Sequence, residues 1–337
     1  MTVTESAPPG GRQLTREQLA TLWATMCQAE ALDSRIVNGI KRGEFATVIW
    51  PSRGQEAIPA AMGLALRPDD RLVTTYRGLH DHIAKGVPVP EIVGEVLGTS
   101  AGACGGKGGT MHISDPEHGV MMTTGIVGSG IPVAVGLALA ARKDGSDRVT
   151  AVTFGDGATN TGSFHEGVNL AALWKLPLVL ICQNNLYAEM TPVEETMAVE
   201  HVAQRAAGVG MKGVTVDGND PVATYLAISE AVAWARAGHG PTLIEAVTFR
   251  FEGHYAGDGS SYIPAEQMAG ARERDPMITF PKTLLAAGIT QDQIDTIQAQ
   301  ARAEVDEGVQ QAAKAAAPEA SLIENDVYAD GLVVTHG

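Results

Sequence analysis

The sequence predicts an α/β protein: a parallel sheet flanked by helices, with a helical extension at the C-terminus. Three observations support this. Arg148–Phe154 (RVTAVTF), Ser163–Lys175 (SFHEGVNLAALWK) and Pro177–Gln183 (PLVLICQ) read as strand, helix and strand. The two strands of such a unit must run parallel. Further strand-like runs at Arg71–Thr75, Gly213–Asp217 and Pro241–Arg250 alternate with helical patterns. The 337 residues, 45% hydrophobic with a mean hydropathy near zero, suffice for one large α/β domain with a sizeable core.

In chain order, residues 1–13 are rich in Pro, Gly and polar side chains and are expected to be disordered. Thr15–Gln18 (TREQ) is a capping box that opens a helix to about Arg42, where Gly43 ends it. Arg35 on that helix reads as a salt-bridge residue. A second helix is expected over Gln55–Leu66. Ala101–His112 (AGACGGKGGTMH) is glycine-rich. Ile131–Arg142 is almost wholly apolar, which predicts a helix buried all round. Val199–Gly208 and Pro221–Ala237 are helical, with Tyr225, Ile228, Val232 and Trp234 as packing candidates on the second. Thr290 and Gln293 cap a long helix whose Ile294, Ile297, Ala301, Val305 and Val309 share one face. These elements suggest a main domain over residues 14–280 and a helical extension and tail over 281–337.

Net charge −15 and an isoelectric point near 5.0 argue against nucleic acid and anionic membranes as partners. Cys27, Cys104 and Cys182 are too few and too scattered for a disulfide framework or a zinc site. No apolar run has membrane-spanning length, and the N-terminus lacks a signal or transit pattern, so a cytoplasmic protein is expected.

The strand–helix–strand unit also carries chemistry. Gly155-Asp156-Gly157 follows the first strand, and Asn184-Asn185 follows the second. Neighbouring parallel strands lie roughly 4.8 Å apart, so Asp156 and Asn185 face one point at the edge where α/β sheets bind ligands. A carboxylate and an amide oxygen suit Mg²⁺, whose remaining ligands are commonly phosphate oxygens. Gly155 and Gly157 let a diphosphate approach the backbone, and the next helix offers free N–H groups to an anion.

The pair forms a GDG…NN motif with 26 intervening residues. With its flanking text (GDGATNTGSFHEGVNLAALWKLPLVLICQNNLYAE) it resembles the α subunit of thiamine diphosphate-dependent E1 components of 2-oxo acid dehydrogenases. The likeness runs from about Gln18 to Phe280 and is strongest toward the acetoin and pyruvate branch. The resemblance implies a thiamine diphosphate-binding fold and a set of site residues. Tyr76 and Arg77 would bind the diphosphate, and Gly125 and Val127 the aminopyrimidine end. Gly155, Asp156, Gly157 and Ala158 would cradle the phosphates. Asp156, Asn185 and the Tyr187 carbonyl would hold Mg²⁺. His254, in an HxxxD loop with Asp258, would be catalytic, as proton donor or oxyanion partner, since histidine ordinarily titrates near neutrality.

Three places depart from the family pattern. Trp50 stands where the family usually has a histidine; it is either a core aromatic or part of a reshaped substrate entrance. Leu79 replaces a second histidine, and His80 and His82 follow. Tyr255 stands where the pyruvate enzymes of higher organisms carry a phosphorylatable serine. Lys107 and His112 belong either to a glycine-rich turn or to the approach to the cofactor.

In this family a β subunit supplies the activating glutamate. No second α/β domain fits after Phe280, so an α₂β₂ heterotetramer is expected, with a lipoyl-bearing E2 as acyl acceptor. The alternative is the diphosphate-binding half of a split transketolase-like ketol transferase.

Overall fold

The computed structural model describes residues 4–5 and 13–324. The expected disordered N-terminus falls outside these, apart from Gln13 and Thr4–Glu5 (β1), the latter a short edge strand beside Val214 and Thr215. Helix α1 (Arg16–Lys41) begins as expected: Thr15 accepts from the Gln18 amide and Gln18 returns the bond. Next come α2 (Ala57–Ala65), β2 (Arg71–Thr75), α3 (Leu79–Lys85), α4 (Val89–Leu97), β3 (Val120–Thr124) and α5 (Gly130–Lys143). The motif unit is β4 (Thr150–Gly155), α6 (Gly162–Leu173) and β5 (Leu178–Asn184). It is followed by a hairpin of β6 (Tyr187–Ala188) and β7 (Thr191–Pro192), then β8 (Lys212–Asp217), α7 (Pro221–Arg236) and β9 (Thr242–Val247). Helices α8 (Ala265–Glu273), α9 (Pro276–Ala286) and α10 (Gln291–Lys314) come after the last strand.

The large sheet has the order β1-β8-β9-β5-β4-β2-β3, and every pairing in it is parallel. Its central strands alternate between two cores. Val179 and Ile181 face the core shared with α1, α2, α7, α9 and α10. Leu178, Leu180 and Cys182 face the core shared with α5 and α6. Strands buried on both sides explain why β5 reads as an unbroken apolar run. The C-terminal helix packs on the main body: Ile294, Ala301, Val305 and Val309 join the first core, and the Trp23 indole N–H donates to the Ile294 carbonyl at 3.2 Å.

Two expectations about packing fail. Helix α5 buries Ile131, Ala134, Val135, Ala138 and Ala141, but Pro132, Val133, Gly136 and Ala140 are exposed. The sheet and α6 cover only one side of a helix in this position, so apolar sequence did not mean complete burial. Trp234 is 40% exposed, its ring lying on His239 at 4.3 Å rather than in the core. Among the described residues no helix is long and apolar enough to cross a membrane.

Candidate active site

β4 and β5 pair in register through Gly155 and Gln183, so the chain leaves both strands at the same sheet edge. β2 and β3 end beside them and β9 on the other side, and their loops enclose a cavity of about 440 Å³. All eleven residues singled out above line it: Tyr76, Arg77, Gly125, Val127, Gly155, Asp156, Gly157, Ala158, Asn185, Tyr187 and His254.

Asp156 is 2% exposed, and its Oδ2 has no hydrogen-bond partner among the described residues. Burial pushes its carboxyl up to about 6. A buried carboxylate oxygen without a donor, beside a buried Asn185, is the arrangement a cation would satisfy. The Asn185 Oδ1 accepts from the Tyr187 amide at 3.2 Å, and its Nδ2 donates to Gln55 Oε1 at 3.3 Å. The oxygen therefore faces the loop and keeps a second lone pair. Between them Leu186 has φ +70°, a left-handed conformation that a branched side chain rarely takes and that turns the chain sharply after β5. Oxygen donors with a single carboxylate fit Mg²⁺ better than a softer metal. Gly157 is confined by contact: a Cβ there would come within 2.8 Å of the Ala188 methyl.

Positive charge gathers opposite. Arg77 is buried and donates to the Pro51 carbonyl at 2.7 Å and to the His254 carbonyl at 2.9 Å. Arg250 donates to the Glu189 carbonyl at 2.9 Å and the Tyr262 hydroxyl at 2.7 Å. Burial and the neighbouring Arg250 push the Arg77 guanidinium down to about 10. Two buried guanidiniums at one wall leave room for an anion to balance them.

His254 Nδ1 lies 3.1 Å from Arg77 Nη2. A guanidinium only donates, so Nδ1 accepts and the ring proton sits on Nε2. Burial, then Arg77 and Arg250, push the imidazole down to about 4. The near-neutral titration expected from the sequence is therefore not found: His254 is a neutral N–H donor at pH 7. Asp258 holds its loop, accepting from the His254 amide at 2.6 Å and the Tyr262 hydroxyl at 2.7 Å.

Trp50 lines the cavity, edge-on to Tyr76 at 5.2 Å. Leu79, His80 and His82 are buried away from it, with His82 between the Gly78 carbonyl and the Thr123 hydroxyl. Lys107 and His112 do not line it either, but Met111 does. The glycine-rich loop is organised by the buried Glu95, whose carboxylate accepts from the amides of Cys104, Gly106, Gly108 and Gly109 at 2.7–3.0 Å. The sequence reading missed Arg250, Gln55 and Glu189, which also face the cavity. Arg250 had one available signal: a basic residue just beyond a strand that ends at the same sheet edge.

Residues 24–321 match the family model described as the dehydrogenase E1 component. The chain is 37% identical over 331 residues to the α subunit of acetoin:2,6-dichlorophenolindophenol oxidoreductase of Cupriavidus necator, covering 97% of this chain and 99% of the relative. It is 36% identical over 315 residues to the 2-oxoisovalerate dehydrogenase α subunit of Bacillus subtilis, covering 92% and 95%. The pyruvate dehydrogenase E1 α subunit of Zymomonas mobilis is 33% identical over 312 residues, covering 92% and 88%.

Proposed function

This chain belongs to the dehydrogenase E1 component family, and from that premise we propose that it is the α subunit of a thiamine diphosphate-dependent oxidoreductase acting on acetoin or a pyruvate-like 2-oxo acid. The observation that supports this most is the pairing, in one cavity, of an unpartnered Asp156 oxygen with two buried arginines. Asp156, Asn185 and the Tyr187 carbonyl would hold Mg²⁺. Arg77, Arg250 and Tyr76 would hold the diphosphate, with Gly155, Gly157 and Ala158 at its backbone cradle. Gly125 and Val127 would meet the aminopyrimidine end. When bound, thiamine diphosphate supplies a nucleophilic carbon for the substrate carbonyl.

The residues of this chain orient and stabilise. The His254 Nε2–H donates to oxygen that becomes negative during the reaction, and as a neutral donor it needs no prior protonation. Trp50 narrows the entrance. Ile126 and Val127 are 70% and 48% exposed beside the cavity, so a second chain is needed to exclude water there. That chain would be the β subunit of an α₂β₂ heterotetramer, working in the cytoplasm with a lipoyl-bearing E2 as acyl acceptor.

The test is co-expression with an E1 β chain, followed by assay of acetoin and 2-oxo acids with an artificial electron acceptor. Turnover should require both chains, thiamine diphosphate and Mg²⁺. Transfer of ketol units between sugar phosphates would instead establish the transketolase-like reading.

A further inference from the structure

We infer that Glu245, which does not line the cavity, is the positioning residue for the metal-binding loop and acts through the Asn184 side chain. The inference rests on the proposed cation site. Glu245 lies on β9 opposite Cys182 and is 0% exposed. Its Oε2 accepts from the Thr215 hydroxyl at 3.0 Å and the Ala203 amide at 3.3 Å, and lies 3.5 Å from His201 Nδ1. Its Oε1 accepts from Asn184 Nδ2 at 2.8 Å. The other end of that amide, Oδ1, accepts from the Leu186 amide at 3.1 Å.

These contacts fix the Asn184 amide in one orientation. The carboxylate can only accept and the Leu186 N–H can only donate, so a flipped amide would break both bonds. Leu186 is the residue at φ +70°, and it sits between Asn185 and Tyr187. Asn184 thus ties an unfavourable backbone conformation to a carboxylate anchored across three separate segments. The Leu186 carbonyl is fixed in turn by the Val193 amide at 2.9 Å. Without the tie, Leu186 is held only through its carbonyl and can relax, and the Asn185 oxygen and Tyr187 carbonyl lose their alignment with Asp156.

The polarity of the bond allows a swap. In Asn184→Asp two carboxylates face each other inside the protein. In Asn184→Asp combined with Glu245→Gln, the side-chain amide introduced on β9 donates to the new carboxylate, which still accepts from Leu186. The oxygen of that introduced amide keeps the Thr215 and Ala203 bonds.

The experiment measures Mn²⁺ binding to the full chain by electron paramagnetic resonance, with thiamine diphosphate present, alongside circular dichroism and thermal unfolding. Asn184→Asp should weaken Mn²⁺ binding by roughly 10–100-fold in folded protein, and the double variant should recover most of that loss. Unchanged Mn²⁺ affinity with a lowered unfolding temperature would make Glu245 a stability residue only and overturn the inference. A double variant no better than the single would do the same. Absence of cofactor-dependent Mn²⁺ binding in the unaltered chain would overturn the cation reading itself and this inference with it.

Discussion

Replacing Asp156 by Asn should make the free chain's stability less dependent on pH, in a direction that cofactor and metal reverse. Burial raises the Asp156 carboxyl from 3.8 to about 6 in the folded chain. Its contribution is therefore most favourable below 3.8 and declines as pH rises, becoming constant above about 6. At about 1.36 kcal/mol per unit the whole effect is ~3 kcal/mol, of which ~1 kcal/mol falls between pH 5 and pH 7. Urea denaturation of both proteins at pH 5, 6 and 7 measures this. The stability of the unaltered chain relative to Asp156→Asn should fall by that amount across the range, and the comparison cancels what the new amide itself costs. At pH 7, Mg²⁺ and thiamine diphosphate should restore the advantage of the aspartate, because the cation takes the place of the proton. Parallel stability curves from pH 5 to 7 would refute the claim that burial outweighs the backbone hydrogen bonds and arginines that favour this carboxylate's charge.

The His254 imidazole, held down to about 4, should rise toward its ordinary value of 6.5 when pyrophosphate neutralises Arg77 and Arg250, as followed by NMR titration. A value near 6.5 in the free chain would contradict the Arg77 contact. Glu95→Ala strips the acceptor from four backbone amides and should cost ~2–4 kcal/mol, with faster hydrogen exchange confined largely to residues 104–109. Trp50→Ala should raise kcat/KM for a branched 2-oxo acid relative to pyruvate by about 10-fold, the scale of one added methylene in an apolar pocket. An unchanged ratio would remove Trp50 from substrate selection.

What could be read from sequence was local. Strand, helix and strand around Asp156 and Asn185 follow from spacing over some thirty residues, and both capping boxes formed where their side chains specify. Arg250 and Gln55 escaped notice because only the closed sheet brings them to the same cavity as Asn185. The α5 error has a different cause: hydrophobicity reports what a surface prefers, and the covering of its outer face is not encoded in the helix itself. His254 shows a third limit. Its position was legible, but its protonation depends on a guanidinium 177 residues away in sequence.

The long-range join between α1 and α10 has a consequence for synthesis. Trp23 finds its hydrogen-bond acceptor 271 residues later, and α10 shares the core that buries Leu22, Met26 and Cys27. At ~5–20 residues per second, translation leaves that face of the first helix uncovered for roughly 15–50 s. The nascent chain thus carries an adhesive strip from the emergence of α1 until α10 is made and closes it.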